Sequence, residues 1–162
     1  MIVDISSKTG KIGLTFESDI KRNFEFTLLS TTNFNIPSLN PNYSTFIEID
    51  SKIFRDTIKD MAIIGGTILF SVNKNNLAIL SEDYTSKALA EISSKSKSIR
   101  KYESKTSQHS KYNLNYILSF LNACAISDFV KISVGGTKLP LKLEYPMEEE
   151  GRFTLYLAPM EI

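Results

Sequence analysis

A repeated order of elements constrains this chain more than any other feature. Residues 45–92 run as an apolar strand, an amphipathic helix and three further strands, and the same order recurs at about 99–159. Each copy carries Gly-Gly-Thr, at 65–67 after the helix and at 135–137 after a strand. Repeated supersecondary units fix much of a fold, because each copy needs the other to cover its apolar face. Two βαβββ units side by side place two helices on one face of antiparallel sheet, an α+β domain.

In the first copy STFIEID supplies a strand through Phe46, Ile47 and Ile49, and Asp50 or Ser51 can cap a helix predicted over 51–64. Ile53, Phe54, Ile58, Met61 and Ala62 form its apolar side, while Lys52, Arg55, Asp56 and Lys59 fall on the other. Gly65-Gly66 ends it. TILFSV, NLAIL and SKALAEI then read as strands, with Asn73-Lys74-Asn75-Asn76 as a turn. In the second copy a helix is predicted over about 112–125, with Leu114, Ile117, Leu121 and Cys124 at core spacing. Asn115, Ser119 and Asn122 make an uncharged polar stripe opposite. VKISVGG, KLPLKLEY and GRFTLYLAP follow as strands.

Ahead of the repeat, IVDIS, KIGLTF and RNFEFTLL read as an antiparallel meander over residues 1–29. In the third strand Phe24, Phe26 and Leu28 alternate with Asn23, Glu25 and Thr27, the pattern of a half-buried strand. Residues 30–43, STTNFNIPSLNPNY, break the pattern as a linker, but one carrying Phe34, Ile36 and Leu39. Large apolar residues point to a linker laid along a surface rather than free in solvent.

Charge narrows the function classes. Nineteen Lys and Arg face eighteen Asp and Glu, which excludes a histone-like polycation. The balance conceals segregation: residues 95–111 hold six basic side chains (Lys95, Lys97, Arg100, Lys101, Lys105, Lys111) against Glu103 alone, so the rest of the chain is net acidic. That stretch is either a disordered, solvated loop or a basic surface for a polyanion. Lys52, Arg55 and Lys59 are likewise either a solvated helix face, ion-paired at i,i+4 to Asp56 and Asp60, or a cationic face with work to do. One cysteine, Cys124, and one histidine, His109, leave no disulfide framework and argue against a zinc site. Apolar runs are short and no signal-peptide pattern opens the chain, so a soluble, intracellular protein is expected. No catalytic constellation emerges: His109 sits in the Ser/Lys stretch, Cys124 reads as helix core, and Glu148–Glu150 is a turn cluster. Thr9-Gly10-Lys11 is only a fragment of a phosphate-loop signature. Neither an enzyme nor a cofactor is expected.

Four segments carry a resemblance. FVKISVGGTKLPLKLEYPMEEEGRFTLYLAP resembles the end of a DNA sliding clamp of the proliferating cell nuclear antigen family, where a Leu-Ala-Pro strand follows an acidic-Gly turn. FIEIDSKIFRDTIKDM resembles the first helix of the clamp's second domain, FNIPSLN its interdomain connecting loop, and RNFEFTLL the last strand of its first domain. The match is collinear along the chain, and the ending Met160-Glu161-Ile162 resembles archaeal members. A family protomer has two similar domains and is longer than this chain. The resemblance therefore implies three remnant strands of a first domain over 1–29, a connecting loop over 30–43 and a complete second domain over 44–162. It implies a clamp truncated at its N-terminus, or a start upstream of Met1.

The resemblance also implies a function: a subunit of a ring that encircles double-stranded DNA without reading sequence and tethers DNA polymerase, clamp loader, ligase or nuclease through short peptide motifs. The alternative is a truncated paralogue that binds such peptides or other clamp subunits without encircling DNA. Lys52, Arg55, Lys59, Asn115 and Asn122 take the DNA-facing positions, although relatives often have basic residues where Asn115 and Asn122 stand. Phe34, Ile36 and Pro37 match the lid of the partner-peptide pocket, and Pro140, Tyr156, Ala158 and Pro159 its floor; each also reads as plain core or strand punctuation, but a linker carrying apolar residues favours a groove. Met160 and Glu161 replace a basic and an aliphatic residue. In the family a strand placed like Asn23–Leu29 pairs with one placed like Thr85–Ile92 of the next subunit, while Arg152–Ala158 lacks its usual neighbour and invites self-association or a partner clamp subunit. Metal ligands and membrane contact are not implied, and the expected compartment is the archaeal cytoplasm, or the nucleus in a eukaryote.

Overall fold

The computed structural model describes residues 2–6, 10–28, 41–147 and 151–161. The chain divides into two compact units, Met1–Leu39 and Asn40–Ile162. The first is a three-stranded antiparallel sheet in sequence order: β1 (Ile2–Ser6), β2 (Lys11–Phe16) and β3 (Arg22–Thr27). Gly10, at φ +62°, makes the turn into β2, a conformation that costs a side-chain-bearing residue about 1 kcal/mol. The Lys11 ammonium pairs with Glu25, and Thr15 donates to its register partner Asn23 at 3.0 Å. The expected half-burial of β3 is not found. Phe24, Phe26 and Leu28 are each about half exposed and every residue of the strand is open to solvent. Among the described residues of this unit, one small sheet supplies no second layer for its own apolar face.

The second unit holds β4 (Thr45–Asp50), α1 (Ser51–Ala62), β5 (Thr67–Val72), β6 (Asn76–Glu82), β7 (Lys87–Ser93), β8 (Ile99–Ser104), β9 (Gln108–Asn113) and α2 (Leu114–Phe120). A 3-10 turn (Leu121–Ala125), β10 (Phe129–Ser133), a second 3-10 turn (Gly136–Lys138), β11 (Leu141–Pro146) and β12 (Arg152–Leu157) complete it. Two antiparallel sheets result, ordered β12-β11-β10-β4-β8 and β7-β6-β5-β9. The repeats are β4-α1-β5-β6-β7 and β9-α2-β10-β11-β12, and each lends its first strand to the other's sheet. Thus β4 pairs with β10, and β9 with β5. This exchange locks the two copies into one domain. The second copy begins at Gln108 rather than near 99, because β8 is an extra strand at the edge of β4.

Residues 95–111 are not a disordered loop: most of them form β8 and β9, paired with β4 and β5, and His109 lies on a strand. Their order was hidden because the buried face of β9 is Ser110 and Tyr112 rather than aliphatic. The second helix is also shorter than its apolar spacing suggested. Tyr112 belongs to β9 and is fully buried, the Asn113 side chain caps α2 by accepting from the Asn115 amide at 3.0 Å, and α2 tightens into a 3-10 turn from Leu121.

One apolar core joins the sheets and helices. Phe54, Ile58 and Met61 of α1 and Leu114 and Ile117 of α2 pack with Ile47, Ile49, Ile68, Phe70, Val130 and Ile132 from the strands. Asp50 starts α1 by accepting from the amides of Lys52 and Ile53 at 2.9 and 3.0 Å. Ile53, expected on the apolar side, is exposed; the buried stripe runs through Ser51, Phe54, Ile58 and Met61 instead.

Candidate nucleic-acid interface and peptide groove

Both helices bury one side in the core, pack against each other, and leave a polar side outward. On α1, Lys52 and Lys59 are exposed and Arg55 is half-buried. The i,i+4 pairs to Asp56 and Asp60 are not formed among the described residues; Asp56 is instead held by its neighbour Arg55, Nε to Oδ1 at 3.1 Å. Among the described residues no ion pair engages the ammonium groups of Lys52 and Lys59. Asn115, Ser119 and Asn122 are exposed, Asn122 on the 3-10 turn, and the Ser119 hydroxyl donates back to the Asn115 carbonyl at 2.9 Å. No charged residue occurs from Asn113 to Ala125. The two helix faces are thus unequal, one cationic and one neutral.

The basic stretch is partly engaged. The Arg100 guanidinium stacks 4.5 Å from the Phe129 ring centroid, and Lys101 pairs with Glu103 at 3.0 Å, which raises the Lys101 pKa. Lys101 also begins a row of alternating charge across the sheet: Lys101, Glu48, Lys131 and Glu144 are successive register partners on β8, β4, β10 and β11. Lys131 reaches Glu48 at 3.9 Å and Glu144 at 3.8 Å, and Lys142 reaches Glu144 at 2.7 Å. Burial alone would raise the Glu144 carboxyl, but the Lys142 hydrogen bond and the charges of Lys142, Lys131 and Arg152 hold it below its ordinary value.

Phe34, Ile36 and Pro37 lie outside the described residues. Pro140 leads into β11, Tyr156 sits on β12 opposite Lys142, and Ala158 and Pro159 follow β12. The Met160 amide donates to the Lys111 carbonyl at 2.8 Å, which ties the tail after β12 to the other sheet and fixes Ala158 and Pro159 between them. Tyr43, absent from the sequence-based site, is the residue that organises this corner. Its hydroxyl donates to the Pro140 carbonyl at 2.8 Å and its ring meets Phe46 edge-on. Burial, and then the neighbouring Tyr156 and Tyr112 hydroxyls, push the Tyr43 pKa well up. An aromatic residue placed just ahead of the first strand of the repeat was the only signal for it. Pro140 and Tyr156 are half-buried and Ala158 is exposed.

His109 is exposed on β9 and shares a hollow of about 250 Å³ with Leu69, Leu80, Glu82 and Lys111. Cys124 is half-buried, its thiol donating to the Tyr145 hydroxyl at 3.7 Å and raised in pKa by burial. Among the described residues no three His, Cys, Asp or Glu side chains gather as a metal site, and no helix is long and apolar enough to cross a membrane.

Residues 35–160 match the family model for the proliferating cell nuclear antigen, C-terminal domain. The chain belongs to the proliferating cell nuclear antigen family. Within it, the chain is 21% identical over 146 residues to the DNA polymerase sliding clamp of Thermococcus onnurineus, covering 90% of this chain and 58% of that one. It is 23% identical over 165 residues to the sliding clamp of Methanococcus maripaludis, covering 98% and 64%. It is 24% identical over 155 residues to sliding clamp 1 of Sulfolobus acidocaldarius, covering 95% and 62%. This family member thus spans about three fifths of the length of the curated relatives it matches. Among solved structures, a proliferating cell nuclear antigen of Thermococcus kodakaraensis superposes with a TM-score of 0.77 at 20% identity, covering 98% of this chain and 64% of that one. The PCNA2–PCNA3 complex of Sulfolobus tokodaii gives 0.82 at 24% identity, covering 97% and 63%. The clamp-type α+β fold, with its paired βαβββ units, is therefore common to all three.

Proposed function

We propose that this chain is a subunit of a DNA polymerase sliding clamp, part of a ring that surrounds double-stranded DNA and tethers replication and repair enzymes. The observation that carries the reading is the pair of helices side by side, with Lys52, Arg55 and Lys59 on the outward side of α1 and, among the described residues, no ion pair at either end of that row. Such a face attracts phosphates without contacting base edges, which is what a sliding contact requires. Asn115 and Asn122 add hydrogen-bonding groups but no charge, so the hold on DNA is weak and topological rather than adhesive.

The first unit supplies β3 as a strand of the first clamp domain, and its outer edge, unpaired among the described residues, suits the β7 edge of an adjacent subunit. The relative from Sulfolobus tokodaii is a complex of two different clamp chains, which supports a mixed ring as readily as a uniform one. The rim formed by Pro140, Tyr156, Ala158 and Pro159, organised by Tyr43, is the seat for an apolar peptide from a polymerase, clamp loader, ligase or nuclease. The setting is the cytoplasm of an archaeal cell. Retention on plasmid tests the reading: a clamp stays on a nicked circle after loading with its partner subunits and runs off once the circle is cut. Loss at equal rates from circle and linear DNA would leave only the interaction-module alternative.

A further inference from the structure

The fold divides the basic stretch 95–111 into parts with different surroundings. Lys101 lies on the sheet, paired with Glu103 at 3.0 Å. Lys95 and Lys97 lie on the turn from β7 to β8, where serine and lysine alternate from Ser93 to Ser98. The serines hold the turn. The Ser93 hydroxyl accepts from the Lys95 amide at 3.3 Å, and the Ser96 amide donates to the Ser93 carbonyl at 2.9 Å. The Ser96 and Ser98 hydroxyls share a 2.8 Å bond, and the Ser94 amide donates to the Asn75 carbonyl at 2.7 Å. Ser94, Ser96 and Ser98 are half-buried while Lys95 and Lys97 are exposed, so the alternation turns both lysines outward from an ordered backbone. Arg100, also exposed, follows two residues past the turn, with its guanidinium held on the Phe129 ring at 4.5 Å. Among the described residues no ion pair engages Lys95, Lys97 or Arg100.

The turn is fastened to the start of α1. The Asp50 amide donates to the Ser98 carbonyl at 2.9 Å, and the Asp50 carboxylate caps α1 through the amides of Lys52 and Ile53. Lys97 adjoins Ser98, and Lys52 stands two residues past Asp50. At 3.8 Å per residue and about 5 Å across the hydrogen bond, the Cα atoms of Lys52 and Lys97 lie within about 17 Å. Lys52, Lys95, Lys97 and Arg100 therefore gather at this end of α1. The acids here are Asp50, whose carboxylate holds the two amides, and the exposed Asp128, whose carbonyl accepts from Ser51 at 2.9 Å, so the end is net positive. We propose that the β7–β8 turn is a second phosphate contact for duplex DNA, continuing the Lys52–Lys59 row beyond the start of α1. A duplex carries one charge per about 1.7 Å of its axis, so a single DNA meets the α1 row and the turn together. Lysine holds a phosphate as a point charge and reads no base edge, which keeps the contact independent of sequence. The contact is one-sided, because no charged residue occurs from Asn113 to Ala125 to balance it on α2.

This inference rests on the subunit reading for its choice of duplex DNA as the polyanion, and its test is separate from retention on a circle. The full 162-residue chain is titrated against a linear duplex of mixed sequence by fluorescence anisotropy across a salt series. Lys95→Gln with Lys97→Gln should flatten the slope of log affinity against log salt by about 1–2, and Lys95→Arg with Lys97→Arg should keep the parent slope. Lys105→Gln with Lys138→Gln removes as much charge from exposed positions at the other end of the same sheet, where the Lys105 amide donates to the Ser44 carbonyl, and should leave the slope unchanged. An unchanged slope in the first variant, an equal loss in the control, a loss that arginine does not prevent, or a loss that differs between duplex sequences would each overturn the proposal. Retention on the circle with an unchanged slope ends this inference and leaves the subunit reading standing. A flattened slope in a chain lost equally from circle and linear DNA does the reverse.

Discussion

The Tyr43 hydroxyl donates a 2.8 Å hydrogen bond to the carbonyl of Pro140, a residue 97 positions further along the chain. It ties the entrance to β4 to the entrance to β11, at the corner proposed as the peptide seat. Tyr43→Phe keeps the buried ring and removes only this bond. A loss of about 1 kcal/mol is expected from the urea midpoint, the ordinary worth of one part-buried hydrogen bond. The same variant should bind an apolar clamp-interacting peptide several-fold more weakly by fluorescence anisotropy, because Pro140 is no longer held.

Four tyrosines set the alkaline limit. Burial raises the pKa of Tyr43, Tyr102, Tyr112 and Tyr145, that of Tyr102 to about 12. In the unfolded chain they titrate near 10. Above that point the unfolded state releases protons that the folded state keeps, so stability falls as pH rises, and the tyrosines leave it unaffected below that point. Denaturation midpoints should be flat from pH 7 to about 8, decline gently as the half-buried Cys124 thiol resists ionising, and drop steeply between about 10 and 12. Tyr102→Phe should flatten part of that drop.

The two Gly-Gly-Thr copies make unequal demands. Gly136 sits at φ +70° with the Gln108 amide where a side chain would go, whereas Gly66 has open space and an ordinary φ. Gly136→Ala should cost about 2–3 kcal/mol, and Gly66→Ala should be neutral or stabilise by about 0.5 kcal/mol. Thermal unfolding of the two variants decides it.

Salt dependence reports the α1 face. Each phosphate neutralised contributes about 0.9 to the slope of log affinity against log salt. Lys52→Gln with Lys59→Gln should therefore flatten the slope for duplex DNA by up to about 2, uniformly across sequences. An unchanged slope would place the contact elsewhere, with the basic side chains of 95–111 as the next surface to neutralise.

The strands and α1 were legible because their periods are regular: Ile47 and Ile49 alternate in β4, and Phe54, Ile58 and Met61 recur at helical spacing. The order of β8 and β9 was not, since Ser110 and Tyr112 bury a face that reads as polar. Lys52, Arg55 and Lys59 could be placed outward from spacing alone, but whether acids nearby consumed their charge could not. That depended on rotamers, and Asp56 turned to Arg55. Tyr43 escaped notice because its partner is remote in sequence.

The amino-acid sequence by itself determined the repeat, the helix polarity, the segregated charge and the family, since all are properties of neighbours along the chain. The exchange of β4 and β9 between the two copies, the Tyr43–Pro140 tie and the row from Lys101 to Glu144 were decided only by tertiary structure. Each depends on which strands become neighbours, and antiparallel pairing between distant segments is chosen by burial of the whole core rather than by any local preference.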